Sequence, residues 1–173
     1  MVNAAPDPTL AARVWDELAS IPDPEIPAIS LVDLGVIGAV DATPARIRVE
    51  LLPTFVGCPA IGIMETEIQD RLARSGLATR VEVAVTFDPP WTSDRISAEG
   101  RERLRASGFA PPAPLPSGPE LGILDELAVL PVATCPFCGS TRTTLDNPFG
   151  PTLCRAIYHC DACNQPFEQF KRV

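Results

Sequence analysis

The chain has 173 residues, 46% of them hydrophobic and 21% charged, with a formal net charge of -8. That supplies core material for one ordinary domain and a small second one, and no run approaches the roughly 20 apolar residues of a membrane span. Residues 1–131 carry 10 Lys and Arg against 19 Asp and Glu, and residues 132–173 carry 4 against 3. Neither part offers the basic stripe that phosphate binding requires, which excludes a dedicated nucleic-acid binder.

The opening "MVNAAPDPTLAARVWDELAS" lacks the basic and apolar regions of a secretory leader, so the expected location is the cytoplasm. Leu10, Val14, Leu18 and Ile21 recur at helical spacing, with Asp7-Pro8 as cap and first-turn pair, and predict a helix over 8–20. Three prolines in "IPDPEIPAIS" then forbid helix and set a stiff loop carrying Asp23 and Glu25. "GVIGAVDA" and "RIRVELL", separated by Thr43-Pro44, predict an antiparallel hairpin.

Beyond "PTFVGCPA", Ile61, Met64, Ile68 and Leu72 predict a helix over 59–75 that Ser75-Gly76 ends. "RVEVAVTF" alternates as a third strand, and an amphipathic helix over 93–107 closes at Gly108. The order αββαβα is that of a small α+β sandwich with one sheet, expected over 1–109. "APPAPLPSGP" over 110–119 reads as a semi-rigid proline spacer. "ELGILDELAVL" reads equally as a short helix or a covering segment, which makes 110–131 a linker and 132–173 a second domain.

In that second domain, "CPFCGS" and "CDACNQ" form two C-x-x-C units with 21 residues between the inner cysteines. Six cysteines in a reducing compartment point to metal or reactive thiols rather than disulfides. Two C-x-x-C knuckles aim Cys135, Cys138, Cys160 and Cys163 at one ion, with Gly139 and Asn164 placed where left-handed backbone is needed. The expected site is a closed structural Zn of the ribbon type, with a rubredoxin-like iron site as its competitor. A thioredoxin-like redox pair occurs singly on a strand-helix turn and fits worse. Cys154 lies six residues before Cys160, about 20 Å along a strand, too far to ligate the same ion. His159 alternates to the opposite strand face from Cys160.

Cys58 stands apart from these. Pro59 suits a first helical position, which predicts Cys58 as N-cap, its sulfur facing amides that favour the thiolate. Gly57 permits close approach and Thr54 offers a hydroxyl. A buried cysteine that packs is the other reading of the same residues. Asp23 and Glu25 read either as turn and cap residues or as site carboxylates. A hydrolase or thiol enzyme needs a base beside Cys58, and His159 is in the other domain.

"PDPEIPAISLVDLGVI", "PTFVGCPA", "FDPPWTSDRISAEGRERLRASGFAPP" and the terminal "CPFCGS…FGPTLCRAIYHCDACNQPFEQFK" together resemble the PaaD family, accessory subunits of the phenylacetyl-CoA epoxygenase. The first domain is similar to SufT-like iron-sulfur assembly proteins. The resemblance implies a non-catalytic maturation role for iron-sulfur or iron centres. Its implied partners are the epoxygenase's iron-sulfur flavin reductase or di-iron oxygenase, and the iron-sulfur assembly machinery. The family's T-x-x-G-C-P motif falls on Thr54, Gly57 and Cys58, and its D-P-E motif on Asp23, Pro24 and Glu25. This implies transient ligation of Fe or an iron-sulfur cluster by Cys58, with a second thiolate from a homodimer or from the client. A non-catalytic docking subunit with a structural Cys58 is the competing implication.

Overall fold

A computed structural model of the chain describes residues 8–112 and 132–172. The spacer beyond residue 112, the segment 120–131 and the Asp7 cap position lie outside the described residues. The chain forms two compact units, dividing after Arg103.

The first unit opens with α1 (Pro8–Ala19), whose Leu10, Val14 and Leu18 are buried on one face, as the helical spacing predicts. Loop 22–30 is pinched shut by a Pro22–Ser30 bridge and by the Asp23 amide, which donates to the Ile29 carbonyl at 2.8 Å. A single turn, α2 (Leu31–Leu34), follows; it is capped by Ser30, whose hydroxyl accepts from the Asp33 amide, and it ends at Gly35 with φ 74°. A Cβ at Gly35 would collide with the Arg95 backbone, so both the left-handed turn and the close approach require glycine.

The sheet contains β1 (Ile37–Ala42), β2 (Arg46–Leu51) and β3 (Arg80–Val85), in the order β1-β2-β3. β1 and β2 form the expected antiparallel hairpin, while β3 runs parallel to β2 because α3 (Ile61–Ser75) carries the chain back across the sheet. Ile47, Val49 and Leu51 are fully buried. They alternate with Arg46, Arg48 and Glu50 on the other face, where Arg46–Asp41, Arg48–Glu50 and Arg80–Glu82 ion pairs lie.

The last expected helix, 93–107, is two pieces. Ser93–Arg95 is an isolated 3-10 turn, and α4 runs Ala98–Ala106. The break has a cause in Ser97, whose hydroxyl accepts from the Gly100 amide and donates to Asp33, each at 2.9 Å; an N-cap there starts a new helix. Gly108, with φ 85°, closes it as expected.

The second unit is a four-stranded sheet ordered β4-β7-β6-β5: β4 (Phe109–Ala110), β5 (Thr143–Asn147), β6 (Arg155–Cys160) and β7 (Pro166–Phe170). Phe109 and Ala110 pair with Glu168 and Gln169, so residues that the sequence assigns to the end of the first domain and start of the linker contribute an edge strand to the ribbon sheet. Its core is small: Ala110, Ala133, Ala156, Tyr158 and Phe167 pack with Cys135 and Cys160, and the Tyr158 and Phe167 rings stack at 5.7 Å. No described helix is long and apolar enough to cross a membrane.

Candidate functional site

Two sites emerge, one in each unit. In the ribbon, each C-x-x-C segment forms a knuckle closed by a backbone bond four residues on, Gly139 to Cys135 at 2.9 Å and Asn164 to Cys160 at 2.8 Å. Gly139 and Asn164 take φ of 74° and 56°, the left-handed positions that the sequence marks. The sulfurs of Cys135 and Cys163 lie 3.7 Å apart and those of Cys138 and Cys160 3.6 Å apart. All four ligand atoms lie within 4.8 Å of one another. Zn–S bonds of about 2.3 Å in a tetrahedron require S···S separations of about 3.8 Å, so the four residues fit a tetrahedral thiophilic ion. They form the single group of three or more such ligands among the described residues.

The electrostatics of the cage set its sulfurs apart. Burial opposes ionisation of Cys160, but the Cys163 and Ala162 amides and the Cys138 thiol overcome it and lower the group to about 6. Burial and the thiols of Cys138, Cys160 and Cys135 push Cys163 up to about 12. For Cys138 the Ser140 amide acts to lower the thiol, yet desolvation and the neighbouring Cys160 and Cys135 leave it raised. One sulfur is ready to ionise and two of its neighbours resist, as coupled thiols packed together do. Cys154 is buried outside this group, its sulfur 3.1 Å from the Thr152 hydroxyl, and His159 is not in the group either.

The second site is the sheet end where the chain leaves β2. The Leu52 amide donates to Val36 at 2.7 Å and the Thr86 amide to Leu51 at 2.9 Å, which places the start of β1 and the ends of β2 and β3 side by side. Loop 52–60 leaves this end and carries Thr54, Gly57 and Cys58. Loop 22–30 joins through Leu31, whose amide donates to Ile21 at 2.9 Å and whose carbonyl accepts from Val36 at 3.2 Å. The "FDPPW" segment is tied to the same end by the Trp91 indole N–H, 3.1 Å from the Leu34 carbonyl. The three motifs of the first domain therefore gather at one end of one sheet.

Within this cluster the Cys58 cap expectation is corrected. α3 begins at Ile61 with Ala60 as N-cap, and no side chain caps it. Its first α-type bond runs from the Met64 amide to the Ala60 carbonyl at 2.9 Å, both residues being buried, while the Ile61 amide makes a tighter turn to the Cys58 carbonyl at 3.4 Å. Burial of Ala60 and Met64 sets the helix phase two residues later than the proline signal implies. Cys58 instead ends a turn that its amide closes on Phe55 at 3.2 Å. It is half-buried, with Thr54 buried and Gly57 exposed.

Asp23 is 94% buried, and its Oδ1 accepts from the Glu25 and Ile26 amides at 2.9 and 2.8 Å. That is turn chemistry, one of the two roles open to it from sequence. Glu25 is half-buried on the same turn. Residues without a sequence signal also mark this region: Val56 is 77% exposed, and Ile63 and Phe87 are exposed as well. A valine in a turn and a phenylalanine one step past a strand have no periodicity to reveal them.

Comparisons with known proteins agree with this division. Residues 11–85 match the family described as "Iron-sulfur cluster assembly protein", and residues 125–171 match the "PaaD zinc beta ribbon domain". The chain is 37% identical over 166 residues to a subunit of the "Putative 1,2-phenylacetyl-CoA epoxidase" of Escherichia coli (strain K12), covering 96% of this chain and 95% of that protein. It is 29% identical over 89 residues to "Fe-S protein maturation auxiliary factor YitW" of Bacillus subtilis (strain 168), 51% of this chain and 86% of that one. Among solved structures, the Bacillus anthracis domain of unknown function DUF59 superposes with TM-score 0.52 at 24% identity, over 56% of this chain and 92% of that chain, a likeness of fold.

Proposed function

The chain belongs to the PaaD family of phenylacetyl-CoA epoxidase subunits, and from that premise we propose that it is a non-catalytic maturation factor for iron-sulfur or iron centres in phenylacetate degradation. Cys58 ligates iron or a cluster transiently and passes it to a client subunit of the epoxidase, the iron-sulfur flavin reductase or the di-iron oxygenase. The iron-sulfur assembly machinery is the supplier. The observation that carries this reading is the position of Cys58: a half-buried thiol in an exposed turn, at the sheet end where the three first-domain motifs meet. A permanent cluster takes about four protein thiolates, whereas one accessible sulfur permits release. The ribbon ion, zinc in this reading, is structural, because four protein sulfurs leave no open position.

The test is Cys58→Ala in cells carrying the client. Fold and ribbon zinc are expected to match the parent, while iron occupancy of the client falls. Normal client occupancy would sink the reading.

A second reading, a docking subunit with a structural Cys58, draws support from the exposed Val56, Ile63 and Phe87. Alkylation separates the two. Fast, low-pKa modification of Cys58 supports iron handling, and slow, high-pKa modification supports docking alone.

A further inference from the structure

The two family matches cover residues 11–85 and 125–171, and β4, Phe109–Ala110, falls between them. It is nonetheless an edge strand of the ribbon sheet, parallel to β7, with Phe109 opposite Glu168 and Ala110 opposite Gln169. Two residues are fewer than an ordinary strand contains, so ladder bonds alone do not hold β4 in place. Packing holds it, and two of the three contacts lead to the ligand knuckles. Ala110 is 1% exposed and belongs to one buried cluster with Cys135 and Cys160, a ligand from each C-x-x-C unit. Gly108, with φ 85°, passes so close to Phe137 that a Cβ there would stand 3.1 Å from the ring, and Phe137 lies inside the C-P-F-C knuckle. The third contact is Arg155, which pairs with Glu168 at 3.0 Å and holds its guanidinium 5.8 Å from the centre of the Phe109 ring.

Resting on the structural-zinc reading of the ribbon, we infer that β4 is a metal-dependent clasp: the ribbon ion and the docking of Phe109–Ala110 on β7 stabilise each other. The ion fixes Cys135 and Cys160 and, through its knuckle, Phe137, which together make the surface that β4 packs on. In return Ala110 completes the apolar shell around two of the sulfurs, and such a shell controls the access of water to a metal's ligands. The coupling is reciprocal by necessity. Whatever factor β4 docking adds to affinity for the ion, the ion adds to docking.

Two consequences follow for the chain. The ribbon core takes Ala110 and Ala133 from opposite sides of the proline-rich spacer, so its hold on the ion depends on residues that precede the spacer. With the ion bound, only Ser107 and Gly108 separate α4 from the docked strand. Loss of the ion undoes that fastening together with the knuckles.

Chelator competition for zinc in the full chain tests one direction of the coupling. Ala110→Asp places a carboxylate in the buried cluster with all four sulfurs intact, and is expected to weaken zinc binding about 10–100-fold. Ala106→Asp adds the same charge at an exposed position of α4 and is expected to bind zinc like the parent. Equal affinity of the two variants overturns the clasp, whereas a parent that binds no zinc overturns the structural-zinc reading and the clasp with it. Hydrogen exchange tests the other direction. Removing zinc from the reduced parent is expected to speed exchange of the amides of residues 109–111 at least about tenfold, while α1 and α3 keep their protection; amides there that stay slow without zinc overturn the clasp. Should Ala110→Asp disturb α1 and α3 as well, Phe137→Ala decides. That side chain is 55% exposed, so the fold tolerates its loss, and the zinc-loaded variant is expected to exchange faster than the parent at residues 109–111. Unchanged exchange there overturns the clasp.

Discussion

Cys160 is fully buried at the end of β6 and has three other sulfurs within 4.8 Å. Cys58 is half-buried at the end of a turn, in a unit whose core is aliphatic side chains. The contrast extends to what holds each region together. The first unit buries Val14, Leu18, Leu31, Ile47, Leu51, Ile68 and Leu72, so its fold has a core that does not depend on a cysteine. The ribbon buries three aromatic rings, Tyr158, Phe167 and Phe170, with a few alanines around its cysteines, little for about 40 residues to fold alone. On the proposed reading, an ion substitutes for a core in one region, and a core spares a thiol in the other.

The sharpest way to break this comparison is to remove a cage sulfur. Cys160→Ser is expected to lose the ion and unfold the ribbon, since structural Zn contributes about 10–16 kcal/mol in comparable small domains. The first unit should keep its own fold. Metal analysis with amide hydrogen exchange checks both halves; a ribbon that stays protected without its ion would show that the small core suffices.

Next in size is the pH dependence of metal binding. Near pH 7 the metal-free cage holds Cys160 mostly as thiolate, at about 6, while Cys163, at about 12, and Cys138, raised from 9.0, are protonated. Four-sulfur ligation therefore expels at least two protons, and affinity is expected to rise at least about a hundredfold per pH unit between about 7 and 9. The ion-dependent stability is thus present at higher pH and lost as pH falls, more steeply below about 6, where Cys160 also takes up a proton. Competition with a chelator across this range measures the slope. A slope near zero would mean that the sulfurs are already ionised before the ion arrives.

The ribbon was legible in the sequence because its chemistry is local: two C-x-x-C spacings and their left-handed fourth residues specify the knuckles without reference to the rest of the chain. The helices α1 and α3 and the β1–β2 hairpin were legible for a similar reason, a periodic apolar face or a short turn. What escaped depends on contacts distant in sequence. The start of α3 is set by Ala60 and Met64 packing rather than by Pro59. α4 is broken because Ser97 caps it while bonding to Asp33, 64 residues away. β4 joins β7 across more than 50 residues, and a two-residue strand leaves no pattern to read. At the first-domain site, the residue types were readable, but their meeting at one sheet end follows from β3 running parallel to β2.

A smaller effect tests whether loop 22–30 frames the Cys58 region or acts chemically. Asp23→Ala removes the acceptor of the Glu25 and Ile26 amides and leaves both donors to find other partners, a cost of about 1–2 kcal/mol. Asp23→Asn keeps the acceptor oxygen and is expected to recover most of it in urea unfolding. If Asn restores stability but not client iron, the carboxylate charge has a role beyond the turn.

The smallest expected change in stability is that of Cys58→Ala. Truncating a half-buried side chain in a turn outside both helix and strand should alter unfolding by less than about 0.5 kcal/mol and leave ribbon zinc at the parent level. That near-silence is what gives the variant its value. A loss of client iron measured against an unchanged fold assigns the effect to the sulfur itself, whereas a destabilisation above about 1.5 kcal/mol, in the range of a filled core position, would mean that Cys58 packs as the ribbon's buried cysteines do. The two regions would then differ only in their ion, and the division between a structural cage and a working thiol would fall.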